Sequence, residues 1–290
     1  MIYSQAELVE ICEQAIEIAK QASKTILECY KNFDSSKHLH LKEDRSPVTI
    51  ADISANHIIV NALAEITLGG NKLKLPVLSE ESADIHPVST KLRLQWDDYW
   101  LVDPLDGTKE FISQTGEFCI NIALIQQHRP TIGVIYSPCD DWVYYAVSGF
   151  GAFKRKNSGT SERIFAKKGN LKQNGLRIAS SKRQHATRKY NDFLKILENQ
   201  QIEYENVYKG SALKFGLVAE GLIDLYPRFG LTSEWDTAAG DCIVHEAGGL
   251  VCDLEGKLLQ YNCQEALINP EFIVAGDKDF DWFDILKNVL

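Results

Sequence analysis

No C-x-x-C pair occurs among the cysteines Cys12, Cys29, Cys119, Cys139, Cys242, Cys252 and Cys263, and their number, 7, is odd. Both facts argue against a disulfide framework and against a structural zinc site. Several sit in apolar runs, as in Phe118-Cys119-Ile120, and read as small buried hydrophobes in a reducing compartment. Positive charge is also scarce: 31 lysines and arginines stand against 40 aspartates and glutamates, a net charge of −9. That argues against a general nucleic-acid binder. It does not exclude a phosphorylated small molecule, because bound cations would reverse the sign of the potential inside a site. The start, Met1-Ile2-Tyr3-Ser4-Gln5-Ala6-Glu7, has neither the basic region nor the apolar core of a leader, and no apolar run approaches membrane-spanning length. A cytoplasmic protein is expected. Internal repeats and low-complexity segments are lacking too.

What remains is an ordinary globular composition of 290 residues, 44% hydrophobic and 24% charged, enough for one large or two medium domains. Leu8, Ile11, Ala15, Ile18, Ala22 and Ile26 recur at helical spacing, so residues 4–30 read as an amphipathic helix, with Ser4 and Glu7 as its capping box. The polar stretch Asn32 to Ser46 reads as a loop or a projecting hairpin. A second helix is expected from about Thr49–Asp52 to Thr67, ended by Gly69-Gly70. Strand signals follow at Leu75–Ser79, Tyr99–Val102, Cys119–Gln126, Thr131–Tyr136 and Trp142–Val147. The basic, polar stretch Lys154–Gly175 reads as a boundary or a long surface loop. Beyond it strands and helices alternate: strands at Arg177–Ala179, Ile202–Val207, Ile223–Tyr226, Leu250–Cys252 and Phe272–Ala275, and helices at Thr187–Glu198, Ser211–Glu220, Asp236–Ala247 and Asp279–Leu290. Such alternation indicates an α/β layer. The division expected is 1–160, an α+β metal-binding part, and 161–290, an α/β part, with the active site at their junction.

Chemistry concentrates in Asp103-Pro104-Leu105-Asp106-Gly107-Thr108. The apolar run Tyr99-Trp100-Leu101-Val102 reads as a strand ending at Asp103, with Pro104 stopping the ladder and Gly107 permitting a tight turn. Two carboxylates on such a turn can share hard divalent cations through oxygen. The amides of Gly107 and Thr108, opening a helix, could hold a phosphate oxygen. The combination suggests metal-assisted hydrolysis of a phosphate ester, although Asp-Pro-x-Asp-Gly alone is equally an ordinary turn. Four further clusters accompany it: Glu80-Glu81 after an apolar strand, Asp44 to Asp52, Gly210-Ser211-Ala212-Leu213-Lys214, and Trp235-Asp236-Thr237-Ala238-Ala239-Gly240-Asp241. Each has a bland alternative: a solvated acid for Glu80, helix caps for Thr49, Asp52 and Asp236, a surface lysine for Lys214.

The order Glu80-Glu81, then Asp103 to Thr108, then Trp235-Asp236-x-Ala-Ala239 resembles the inositol monophosphatase superfamily over nearly the whole chain. Asp44-x-Ser46-Pro47-Val48-Thr49-x-Ala51-Asp52, Leu78-Ser79-Glu80-Glu81, Trp100 through Phe111, and Tyr226-Pro227-Arg228-Phe229-Gly230 are similar, within it, to bacterial CysQ-type 3'(2'),5'-bisphosphate nucleotidases. The resemblance implies a layered αβαβα sandwich, an α+β fold of the sugar phosphatase type. It implies a lithium-sensitive, Mg²⁺-dependent hydrolase that converts 3'-phosphoadenosine 5'-phosphate to AMP and phosphate in sulfur assimilation. Carried over by position, Glu80, Asp103 and the carbonyl of Leu105 would hold a first Mg²⁺, and Asp103, Asp106 and Asp236 a second. A third, weaker ion belongs near Glu80. The catalytic set would be Asp44, Thr49, Thr108 and Glu80, with Thr108 positioning the attacking water and Asp44 helping to activate it. Substrate would meet Glu80, Leu105, Asp106, Gly107, Thr108, Ser211, Lys214 and Asp236. By analogy the enzyme would be a monomer or homodimer, cytoplasmic or peripheral on the inner membrane's cytoplasmic face, with no transmembrane segment and no nucleic acid polymer as partner.

Three alternatives stay open on the residues. An inositol monophosphatase or broader sugar phosphatase would use the same carboxylates, and the fold would not separate it. A non-catalytic nucleotide-binding regulator would be expected to have lost at least one of Glu80, Asp103, Asp106, Thr108 and Asp236, and all are present. An exonuclease would need to track a long backbone, which the acidic charge opposes.

Overall fold

The computed structural model describes residues 3–34, 39–41, 47–83, 90–156, 159–168, 175–181, 184 and 187–286. Helix α1 (Gln5–Lys31) starts on the expected capping box: Ser4 N–H donates to the Glu7 carboxylate at 2.7 Å and Glu7 N–H to Ser4 Oγ at 3.3 Å. Its apolar stripe is buried from Leu8 to Ile26. Strands β1 (Leu39–Leu41) and β2 (Pro47–Thr49) pair antiparallel, which favours the hairpin reading of this region. Asp44, between them, lies outside the described residues.

Helix α2 (Ile50–Leu63) is capped by Thr49 and stops short of the expected Thr67. Thr67–Leu68 (β3) pair instead with Asn71–Lys72 (β4) around Gly69 and Gly70, both at positive φ. Two consecutive glycines that accept positive φ close a two-residue hairpin as readily as they end a helix. The Gln14 side chain on α1 holds the hairpin in place by bonding both Thr67 N–H and C=O, at 3.1 and 2.8 Å.

Seven strands form the large sheet. They are β5 (Val77–Ser79), β6 (Asp98–Asp106), β7 (Cys119–Gln126), β8 (Arg129–Ser137), β9 (Trp142–Val147), β10 (Gly151–Lys156) and β11 (Glu162–Ile164). They lie in simple sequence order, antiparallel except for the parallel pair β5–β6. Short helices α3 (Glu80–Ala83), α4 (Thr90–Arg93) and α5 (Thr108–Ile112) flank β6 in sequence. The large sheet runs on through Ile164, so the start of the expected boundary stretch Lys154–Gly175 is ladder rather than loop.

The second sheet orders β13-β12-β14-β16-β15, from β12 (Leu176–Ser180), β13 (Tyr204–Tyr208), β14 (Leu225–Arg228), β15 (Leu250–Asp253) and β16 (Phe272–Ala275). Its helices are α6 (Arg188–Asn199), α7 (Leu213–Ala219), α8 (Ala238–Glu246) and α9 (Trp282–Leu286), the last shorter than the expected Asp279–Leu290, whose residues 287–290 lie outside the description.

Strand periodicity sorts the apolar side chains into three cores. Trp100, Val102, Ile120, Ile122, Leu124 and Val134 point to α1 and α2. Tyr99, Leu101, Ala123, Ile125 and Tyr144 point the other way, onto α7, α8 and the inner face of the small sheet at Tyr226, Phe272 and Val274. Leu176, Ile178, Leu225 and Ile273 face α6 and α9. The result is the layered αβαβα sandwich. No helix among the described residues is long and apolar enough to cross a membrane.

The middle helix layer lies tight on the large sheet. A Cβ on Gly133 of β8 would fall 2.3 Å from Ala239 O, and one on Gly216 of α7 would fall 2.1 Å from the Tyr144 ring. That ring cannot swing away freely, because its hydroxyl donates to Glu220 and Lys154 stands over its face. Gly216→Ala should therefore destabilise the fold by about 1–3 kcal/mol through overpacking, seen as a lower Tm with the cooperative transition kept.

Candidate active site

Strand β6 does not end at Asp103. It continues through Pro104 and Leu105 to Asp106, with its register to β7 shifting in between: Asp103 pairs with Asn121 and Asp106 with Cys119. Three steps on β6 oppose two on β7, a one-residue bulge. Pro104, which has no N–H to give, is tolerated there because the ladder is already broken. The bulge also decides the chemistry. In a regular strand residues three apart face opposite sides. Here Asp103 and Asp106 both project from the face shared by Asn121 and Cys119.

Asp236 joins them from the other half of the chain. It closes a 3-10 turn (Glu234–Asp236) in which Ser233 is the N-cap and Asp236 the third residue, not the cap itself; Ser233 N–H donates to its carboxylate at 2.8 Å. The turn is held by polar bonds to Asn262 and Asn269: Glu234 accepts the Asn262 N–H at 2.8 Å and the Asn269 amide donates to Ser233 O at 2.6 Å. Oxygens of Asp103, Asp106 and Asp236 all lie within 4.8 Å of one another. Glu80 opens α3 directly after β5, whose Ser79 pairs with Val102 beside Asp103. It stands outside that trio, but its negative charge reaches Asp103, Asp236 and Asp52.

Burial pushes Asp103 well above the usual carboxylate range, and the charges of Glu80, Asp106 and Asp236 add to it. Asp236 is pushed up to about 8 by burial and then by Asp106 and Glu80. Asp106 is raised by burial against the Lys214 charge and the N–H groups of Ala212 and Asn121, which favour its ionised form. Three hard oxygen donors crowded in a desolvated site repel one another until a cation arrives, so the donor set fits a divalent ion such as Mg²⁺.

Beside the trio, Thr108 Oγ1 donates to Asp52 Oδ1 at 3.2 Å and lies 3.4 Å from Leu105 O. Asp52 accepts from both the Thr49 hydroxyl, at 2.6 Å, and the Thr49 N–H, at 2.7 Å. Burial raises Asp52 to about 6 against those bonds. The Thr49-x-x-Asp52 spacing is legible as a capping box, and it is one; that the same carboxylate also holds Thr108, 56 residues on, is not visible in the spacing. Asp52 is the functional candidate that sequence reasoning treated only as a cap. Leu105 turns its N–H back to Asp103 Oδ1 at 3.0 Å, and Gly107, at φ 97°, caps α5.

Ser211 and Lys214 come to the same group of acids. The N–H of Ala212 donates to Asp106, and the buried Lys214 ammonium bonds Ser211 O and Lys209 O while standing 4.9 Å from the Tyr226 ring. Burial lowers Lys214 to about 8. The positive charge of Arg228 is felt by both Lys214 and Asp236. Cys119 lies under this corner with Sγ 3.7 Å from the Asp106 carboxylate, and burial raises its thiol far beyond nucleophilic use.

The model of the inositol monophosphatase family matches residues 7–281. The chain belongs to that family. Family phosphatases are metal-dependent, and the acidic cluster such chemistry uses is present here. Among curated relatives, the 3'(2'),5'-bisphosphate nucleotidase CysQ of Aggregatibacter actinomycetemcomitans is 37% identical over 279 residues, covering 96% of this chain and 97% of the relative. The protein of the same name from Escherichia coli strain K12 is 40% identical over 265 residues, 91% of this chain and 98% of its own length. Among solved family structures, CysQ from Bacteroides thetaiotaomicron superposes with a TM-score of 0.77 at 36% identity, covering 96% of this chain and all of that one. The inositol monophosphatase of Thermotoga maritima, at 23% identity and a TM-score of 0.70, shares the fold.

Proposed function

We propose that this chain is a Mg²⁺-dependent 3'(2'),5'-bisphosphate nucleotidase that removes the 3'-phosphate of 3'-phosphoadenosine 5'-phosphate, giving AMP and phosphate, as a step of sulfur assimilation. The observation that carries the reading is full-length likeness to relatives named for that activity, in a chain whose two halves bring a carboxylate trio and a buried lysine together. The parts 1–160 and 161–290 then have distinct duties: the first brings Asp103, Asp106 and Thr108, the second Asp236, Ser211 and Lys214, and the reaction occurs at their junction.

Asp103, Asp106 and Asp236, with Glu80 and the Leu105 carbonyl, would hold two Mg²⁺, and Glu80 a weaker third. Bound there, such ions supply a hydroxide near neutral pH and neutralise the phosphate and its leaving oxygen. The chain's own residues do the rest. Thr108 donates its hydroxyl hydrogen bond to Asp52, which leaves its oxygen lone pairs to accept a hydrogen bond from a water and aim that water at phosphorus. Thr49 fixes Asp52 for this duty through two hydrogen bonds. Asp44 assists water activation in this reading. The amides of Gly107 and Thr108 hold the scissile phosphate, and Ser211 and Lys214 hold the rest of the nucleotide. The reading goes with a cytoplasmic enzyme, monomer or homodimer, that meets a small nucleotide rather than a polymer.

The test is phosphate release from 3'-phosphoadenosine 5'-phosphate and from inositol 1-phosphate, side by side, with Mg²⁺ and with added Li⁺. A nucleotide preference of at least about a hundredfold, some 2.7 kcal/mol in kcat/KM, and loss of turnover with lithium are expected. Preference for the inositol ester would keep the carboxylate site and overturn the substrate.

A further inference from the structure

Glu117, just ahead of β7, touches both loops that the proposed reaction uses. Its carboxylate accepts the Gly210 N–H at 2.9 Å and pairs with the Lys209 ammonium at 3.5 Å. Its backbone carbonyl lies 2.7 Å from where a Cβ on Gly210 would stand and 3.2 Å from where one on Gly107 would stand. Both loops thus close on one short stretch of main chain, each at a glycine: a Cβ on Gly210 would clash with the carbonyl, and one on Gly107 would press on it from a backbone held at φ 97°.

The second loop is held at its other end as well. Asp106 accepts the Ala212 N–H, so two acids from the first half of the chain grip the amides on either side of Ser211. Ser211 sits between them at φ 50°, a left-handed conformation uncommon for a residue with a side chain. Such a conformation persists where its surroundings over-determine it. Lys214 takes its position from the same loop, bonding the carbonyls of Ser211 and Lys209.

We propose that Glu117 is a positioning residue that sets substrate specificity. It fixes the separation between the Gly107–Thr108 cradle and the Ser211–Lys214 loop, and so selects small molecules carrying two phosphates over those carrying one. The inference rests on the nucleotidase reading. A loop ordered in advance by a charge-assisted bond to its amide spares a ligand the cost of ordering it on binding. Within that reading the loop, with its Lys214 ammonium, takes the second phosphate, so only a bisphosphate gains from this. A monophosphate held at the cradle alone does not.

The experiment compares wild type, Glu117→Ala, Glu117→Gln and Gly210→Ala in kcat and KM for 3'-phosphoadenosine 5'-phosphate and for adenosine 3'-monophosphate. Thermal unfolding of each is followed with and without Mg²⁺. Glu117→Ala should raise KM for the bisphosphate about tenfold, a loss typical of one charge-assisted hydrogen bond, with kcat within about twofold. Its constants for the monophosphate and its Mg²⁺-induced rise in Tm should match wild type. Glu117→Gln keeps an acceptor for Gly210 and should recover most of the KM, whereas Gly210→Ala, whose Cβ would press on Glu110 and on the Glu117 carbonyl that also backs Gly107, should weaken both substrates. A wild-type ratio of kcat/KM for the two substrates in Glu117→Ala overturns the proposal, as does an equal loss on both. A wild-type enzyme with no preference for the bisphosphate overturns the nucleotidase reading itself, and this is seen before any variant is made.

Discussion

Asp103→Asn should abolish turnover, by at least about a thousandfold, while making the metal-free protein more stable rather than less. The first half follows from the proposed ligand role: a carboxylate that would be shared between two cations would help them balance the charge developing on the phosphate, and loss of several kcal/mol of such stabilisation is three or more decades in rate. The second half follows from the repulsion in the site. Asp103 is buried, and Glu80, Asp106 and Asp236 all oppose its charge. Asparagine removes that charge, and its amide oxygen can still accept the Leu105 N–H that Asp103 holds at 3.0 Å. The gain should be about 0.5–2 kcal/mol, the range common for a single stabilising substitution. Thermal unfolding in EDTA and initial rates across Mg²⁺ concentrations give both halves. Near-normal activity at any Mg²⁺ concentration would sink the bridging role, and a lower Tm in EDTA would sink the electrostatic account.

The stability of the metal-free chain should fall as pH rises from about 4 to 8, and Mg²⁺ should restore it. Asp103 and Asp106 are raised, Asp52 stands at about 6 and Asp236 at about 8. Between the ordinary carboxylate range and pH 8 the folded chain therefore binds more protons than the unfolded one, and stability decreases with pH. A divalent cation displaces those protons, so its effect should be small at pH 5 and large at pH 8. At a hundred times its dissociation constant an ion adds about 2.7 kcal/mol, several degrees in Tm for a chain of this size. Some slope should survive in Mg²⁺, because burial also raises Glu234 to about 7 and Asp241 to about 6, and neither belongs to the carboxylate trio. Tm against pH in EDTA and in Mg²⁺ is the measurement. A flat EDTA curve would overturn the burial of these acids, and the same Mg²⁺ gain at pH 5 and pH 8 would show that the ion does not displace their protons.

Local chemistry was legible wherever the signal was local. Helix α1, its capping box and the strands β7 and β9 follow from periodicity and turn residues, because neighbours in sequence decide them. The helix expected to reach Thr67 failed for a local reason too: Gly69-Gly70 serves a hairpin as well as a helix end, and Gln14, more than fifty positions away, selects the hairpin.

The residues in order supply the inventory: which carboxylates, hydroxyls and glycines are present, and an arrangement along the chain that is that of the inositol monophosphatase family. How they meet depends on the packed layers of the fold. Spacing would set Asp103 and Asp106 on opposite faces of a strand; the bulge opposite β7 turns them to one face. Thr49-x-x-Asp52 reads as a cap until β6 and α5 bring Thr108 against it. Asp236 and Ala212 reach Asp106 across more than a hundred residues, through the packing of α7 and α8 on the large sheet. The physical reason is the range of the forces. Propensities and caps act over a turn or two of chain, whereas a desolvated cluster of charges forms only where separate layers of the fold close over it.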